Sequence, residues 1–211
     1  RGFVPVLVVV LHQPERDLHG AEVAQAVEAA REAQVARLPV DRQQRLRPPE
    51  LRADHRDEVN GHLKKVITAA GTMGIGVVNT FLGGDRALNV DANWARAQDF
   101  FAPIVNYAKD AGVTLCFENC PMIFSNDEWP GGHNIAYSPK IWRRIFEEWD
   151  EDVGMNFDPS HLIWQFIDQT RFINEFGPRM AHVHAKDVMI DSDGLYENGT
   201  MSVGMGVSVN E

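Results

Sequence analysis

Cysteine is scarce in this chain of 211 residues, which has two, Cys116 and Cys120. Two thiols are too few for a disulfide scaffold and fit a protein of a reducing, cytoplasmic compartment. No apolar run reaches the ~18 residues that a membrane-spanning helix needs, so no membrane partner is expected. Positive charge is in deficit, with 20 Lys+Arg against 30 Asp+Glu and a formal net charge of −10. Nucleic-acid backbones are bound by basic faces, and this balance argues against one as the main partner. Aromatic residues are almost missing from the first 80 positions, where Phe3 stands alone, and no lysine precedes Lys64. Residues 1–56 are therefore atypical of the chain as a whole. What is present is ordinary for a globular domain. A content of 44% hydrophobic and 24% charged residues excludes wholesale disorder.

Hydrophobic periodicity organises the rest. Residues 3–11 are a valine-rich run of strand length, and residues 21–38 space their apolar positions as a helix does. Between residues 39 and 56 the pattern fails, and the Arg/Gln/Pro-rich segment reads as a linker. From Asp57 the signals become regular. They predict a helix through Ala70, stopped by Gly71 and Gly74, then a strand at 76–81 and a helix entered at Asp91. A strand at 113–118 follows, then a helix begun by Ser138-Pro139 and a strand at 153–158. Short helices at 162–167 and 171–176 lead to a strand at 180–184. The tail 188–211 reads as irregular. Strands alternating with helices specify an α/β fold with a parallel sheet. The glycines of GTMGIG (71–76) precede their strand, so they read as helix stop and turn and not as a phosphate loop.

Three of the strands end in residues that bind metals. The first ends in Glu118, the second in Asp158 with His161 three residues on, the third in His182 and His184. Alternation along a strand puts Thr114, Cys116 and Glu118 on one face, and likewise Gly154, Asn156 and Asp158, and His182 with His184. The opposite faces, such as Val113, Leu115 and Phe117, are apolar. A parallel barrel is built this way, with its active site at the C-terminal strand ends. Two carboxylates and one or two imidazoles converging there suit Mn²⁺, Mg²⁺, Co²⁺ or Zn²⁺. Cys116 reads as a small inward core residue. His12, His19, His55, His62 and His133 lack such a context and read as solvent-exposed. Trp and Phe residues at helical spacing read first as core, with Trp129 and Trp164, near strand-end loops, as candidates to cover a sugar ring.

Between Asp57 and Asp187 the chain resembles the xylose-isomerase-like barrel superfamily of sugar (phosphate) isomerases and epimerases, including the tagatose 3-epimerase and inosose dehydratase groups. The residues that carry the resemblance are LCFENCPM (115–122), NFDPSHLIWQ (156–165) and HVHAKD (182–187), in this order and spacing. The resemblance implies a (β/α)8 TIM barrel binding one divalent metal ion, with Glu118, Asp158 and His184 as ligands. It implies that Glu118 is also a catalytic acid/base, and that His161, His182 and Lys186 contact a small sugar, keto-sugar or polyol, to which Trp129 adds a substrate contact read from its strand-end loop. The chemistry so implied is removal of a C–H proton beside a carbonyl, with the metal stabilising the enediolate. The family's fourth ligand is a glutamate on the last strand. Only 24 residues follow Asp187 here, and the later glutamates, Glu197 and Glu211, follow no evident strand. A barrel of this type needs ~250 residues, so the expectation is an incomplete barrel. Two alternatives stand beside the isomerase: a zinc-dependent abasic-site nuclease similar to endonuclease IV, and a catalytically inactive barrel fragment. An open parallel sheet in such a fragment favours association into homo-oligomers.

Overall fold

The structure is a computed structural model and describes residues 50–122, 132–190, 192–198 and 207–210. Helix α1 (Glu50–Met73) buries the expected stripe of Leu63, Val66, Ile67 and Ala70. It also begins earlier than the periodicity indicates, because residues 50–56, read as linker, are helical. Those residues are good helix formers arranged without an apolar period, so propensity sustains turns that amphipathicity does not reveal. Arg56 then ties α1 to its neighbour: its guanidinium lies 2.8 Å from Asp99 and 5.5 Å from the Phe100 ring centre. The helix stops where the glycines predict. Gly74 takes the left-handed conformation (φ 71°), and the Ile75 N–H reaches back to the Ala70 carbonyl at 2.8 Å.

Strand β1 (Val77–Thr80) leads to α2 (Val90–Asp110), β2 (Thr114–Glu118) and α3 (Pro139–Trp149). The cap of α2 is Asn89, whose Oδ1 accepts from the Ala92 N–H at 2.8 Å. Asp91, expected there, instead sits in the first turn and pairs with Arg144 at 2.7 Å. After α3 come β3 (Val153–Phe157), α4 (Ser160–Ile163), α5 (Gln169–Phe176) and β4 (Met180–Val183). The segment read as an irregular tail contains β5 (Asp187–Ile190), α6 (Ser192–Asn198) and β6 (Val207–Asn210). Strands β5 and β6 pair antiparallel, with Val188 opposite Val209 and Ile190 opposite Val207. Short alternating segments 16 residues apart do not announce such a pairing. Among the described residues, no helix is long and apolar enough to cross a membrane.

Strands β1 to β4 form one sheet in sequence order, every pair parallel. Its outer face packs under the helices. Val78, Leu115, Phe117, Val153, Met155 and Phe157 join Ile104, Trp142 and Ile145 in one apolar core. Phe117 meets Phe101 edge-on at 4.9 Å and Trp149 at 5.8 Å, the offset arrangements that ring quadrupoles favour. The inner face carries Asn79, Cys116 and Gly154 in one layer and Glu118, Asn156 and His182 in the next. The register slips between Met155 and Asn156, leaving Ala181 as an extra residue in β4. A Cβ built on Gly154 would lie 3.1 Å from the Ala181 Cβ. Ala181 therefore stands on the inner face beside Gly154, not opposite His182 as strict alternation requires. The five-histidine expectation also needs correction: His62 and His133 are half-buried, and burial lowers the His62 imidazole from its usual value. His12 and His19 lie outside the described residues.

Candidate active site

Three adjacent parallel strands deliver the three expected ligands. Glu118 is the last residue of β2, Asp158 follows β3 directly, and His184 follows β4, held by its N–H to the Phe157 carbonyl at 2.8 Å. Between them, Asn156 uses every polar atom of its amide. Its Nδ2 donates to Glu118 Oε2 at 3.0 Å and to His184 Nε2 at 3.2 Å, and its Oδ1 accepts from His182 Nδ1 at 2.7 Å. His184 Nδ1 lies 3.6 Å from Asp158 Oδ2. One donor atom each from Glu118, Asp158 and His184 falls within 4.8 Å of the others. His161 Nε2 lies 3.3 Å from Asp158 Oδ2 and 3.7 Å from Glu118 Oε1.

Asparagines hold these ends in place. Asn119 and the Asp158 backbone exchange two bonds: the Asn119 Nδ2 donates to the Asp158 carbonyl at 2.8 Å, and the Asp158 N–H donates to Asn119 Oδ1 at 2.7 Å. Asn134 donates to the carbonyls of Glu118 (3.0 Å) and Cys120 (2.6 Å) and accepts from the Gly83 N–H (3.1 Å), joining the ends of β1 and β2. Neither residue was singled out from sequence. Asn119 stands next to Glu118, but its meaning depends on which backbone it meets; Asn134, 16 residues from Glu118, carries no signal in the sequence. Asp158 is gripped on its other oxygen as well, by the Ser160 N–H at 2.9 Å and the Ser160 hydroxyl. Lys186, read as a substrate contact, places Nζ 3.1 Å from Asp158 Oδ2. Trp164 packs edge-on against His161. Trp129 lies outside the described residues, and Glu197 is exposed on α6.

Electrostatics follow from this packing. Burial alone would raise the Asp158 carboxyl, but His161, through hydrogen bond and charge, and then Ser160 and Lys186 hold it well below the usual carboxylate range. Burial works against a charged His161, yet hydrogen bonds to Asp158, Cys120 and Glu118 hold its imidazole up to about 11. Two buried carboxylates thus converge, with imidazolium and ammonium groups supplying the balancing charge. Among the described residues, two polar groups at this site are buried without partners, the Asn79 amide and His161 Nδ1, and such orphans mark places where a ligand completes the set. A donor set of carboxylates and imidazoles fits a divalent cation.

Comparison with known proteins bears on the fold. Residues 7–210 match the family described as the xylose isomerase-like TIM barrel. The chain belongs to that family. The match begins within the compositionally atypical first quarter. A curated relative of this family member is the uncharacterized protein YfiH of Bacillus subtilis (strain 168), 39% identical over 57 residues, which are 27% of this chain and 18% of that protein. Solved structures share the fold. A D-tagatose 3-epimerase-like protein aligns with TM-score 0.51 at 18% identity, over 63% of this chain and 49% of that one. An L-ribulose 3-epimerase aligns at 0.50 and 19%, over 65% and 44%. The 3-keto-D-glucoside 4-epimerase YcjR from E. coli aligns at 0.50 and 15%, over 69% and 60%. The chain thus spans about half the length of these solved structures. Partial coverage fits an incomplete (β/α)8 barrel, of which the described residues supply four parallel strands.

Proposed function

We propose that this chain carries the ligand end of a divalent-metal-dependent isomerase or epimerase acting on a small sugar, keto-sugar or related polyol. One observation carries the reading: Glu118, Asp158 and His184 converge within 4.8 Å at the C-terminal ends of three neighbouring parallel strands, where barrel enzymes keep their active sites. Glu118, Asp158 and His184 would hold the ion, whether Mn²⁺, Mg²⁺, Co²⁺ or Zn²⁺. A bound ion would supply Lewis-acid stabilisation of negative charge developing on substrate oxygens.

The chain's own residues do the rest. Glu118 takes the proton from the carbon beside the carbonyl and returns it. Its carboxylate is kept aimed by the Asn156 amide on Oε2 and its backbone by Asn134. His161 and His182 flank the carboxylates and orient substrate hydroxyls, and Lys186 balances the charge on Asp158. The substrate class is supported by solved structures with this fold that are sugar epimerases or similar to them.

Solvent exchange tests the proposal. Ketopentoses and ketohexoses incubated with the chain and Mn²⁺ in D₂O should gain deuterium beside the carbonyl, read by proton NMR. Glu118→Gln should slow that exchange by ~10²–10⁴-fold, the usual contribution of a positioned acid/base. Exchange undiminished in the variant would remove Glu118 from the reaction.

A further inference from the structure

Glu118 presents its two carboxylate oxygens to different neighbours. Oε2 faces Asn156 and His184, whereas Oε1 is the oxygen nearest His161. A second convergence of ligand atoms shares Glu118: Glu118, Cys120 and His161 each place one donor within 4.8 Å of the others. Cys120 follows β2 by two residues, so one strand end delivers both a carboxylate and a sulfur. That sulfur already acts as an acceptor, because the Met122 N–H points at it from 3.3 Å. Met122 holds a left-handed backbone (φ 58°) to do so, a conformation that costs a non-glycine residue energy and persists only where its surroundings impose it. Here the His133 N–H to the Met122 carbonyl and the Asn134 N–H to the Pro121 carbonyl impose it. Cys116 takes no part, being buried in β2 with its sulfur toward the Thr114 carbonyl.

The two convergences differ in chemistry. Glu118, Asp158 and His184 offer mainly oxygen, which suits hard cations; a thiol with an imidazole and one carboxylate suits borderline ones. We propose that Glu118, Cys120 and His161 form a second divalent-cation locus, joined to the first through the shared Glu118, whose sulfur makes the centre prefer Zn²⁺ or Co²⁺ over Mg²⁺. The sulfur binds as thiolate and His161 as neutral imidazole, the proton of each passing to solvent as the ion arrives. The proposal extends the metal reading of the same site, and the two can fail separately.

Cobalt is the probe. The 211-residue chain, titrated with Co²⁺ and dialysed to equilibrium, should hold two ions and show the near-ultraviolet sulfur-to-cobalt charge-transfer band, which excess Mg²⁺ leaves intact. Cys120→Ser should bind one ion and lose the band. His184→Gln should keep the band and lose the other ion. A single bound ion without a sulfur band overturns the second locus and leaves the first standing; no binding at all removes both. A band that survives Cys120→Ser also overturns the proposal. A measurement on the unaltered chain guards against misfolded variants: bound Zn²⁺ should protect Cys120 from iodoacetamide in peptide mapping. Free alkylation of Cys120 with zinc bound counts against the locus.

Discussion

Asn119 commits both ends of its side-chain amide to the backbone of a residue 39 positions away, one as donor and one as acceptor. Asn119→Asp keeps an acceptor for the Asp158 N–H but turns the donor facing the Asp158 carbonyl into a second acceptor beside two buried carboxylates. Asn119→Ala leaves both backbone groups buried without partners, at ~1–3 kcal/mol each. Both variants should unfold at lower urea concentration than the parent, with aspartate no better than alanine; an aspartate variant of parental stability would mean the donor bond is not needed. A pH dependence belongs to this scale too. Folding raises the His161 imidazole from 6.5 to about 11, so its contribution is complete below about pH 6.5 and is lost as pH rises through about 11. Folding lowers Asp158, so its contribution is present at neutral pH and lost only in strong acid. The metal-free chain should therefore become easier to unfold from neutral to alkaline pH, and His161→Gln should flatten that slope. Glu118, Asp158, His182 and His184 were legible because strand alternation assigns a face from sequence alone. Asn119 and Asn134 were not, since their partners are backbone groups that only the fold brings near.

Strand β3 shows why the inner face is shaped as it is. A Cβ added to Gly154 would lie 2.7 Å from Cys116 Sγ, 3.1 Å from Ala181 Cβ and 3.2 Å from Thr114 Cγ2. Cys116, Gly154 and Ala181 thus make a layer of small residues beneath Glu118, Asn156 and His182. Gly154→Ala should cost ~1–3 kcal/mol in urea unfolding by overpacking that layer. Cys116→Ala in the same chain should recover ~1 kcal/mol, since the nearest clash is with its sulfur and contacting residues couple. Additive effects would show that the sulfur is not what the new methyl meets. The same layering makes Cys116 unreactive. Burial pushes its thiol up to about 12, so iodoacetamide at pH 8 should leave it intact in the folded chain and modify it only on unfolding. Alternation predicted Cys116 as inward and small. It could not place Ala181 there, because a bulge is a property of two paired strands and not of either sequence. The early start of α1 escaped for a related reason: its first turns are helical by propensity and carry no periodic apolar face to read.

Across the whole molecule, order should follow how each strand is flanked. Strands β2 and β3 have parallel partners on both sides, and every residue of β3 is buried. β5 and β6 form a separate two-stranded sheet, and on β5 Met189 is exposed. A two-stranded ribbon is marginal by itself, whereas a strand inside a packed sheet opens only with the sheet. β4 lies at the end of the described sheet, and its Val183 is 53% exposed, so it belongs between these extremes. Native-state hydrogen exchange should rank the amides accordingly: β2 and β3 slowest, β4 faster, β5 and β6 faster still, by on the order of 10²-fold against the centre. This ranking bears on the site, because Glu118 ends β2 and Asp158 follows β3, while His184 follows β4. The two carboxylates are then mounted on the most persistent part of the fold, and the imidazole on a part that opens more readily. Addition of Co²⁺ should slow exchange in β4 more than in β2 or β3, since an ion held by all three residues ties the looser strand to the firm ones. Equal slowing across the sheet would show that β2, β3 and β4 already open as one unit before any ion binds.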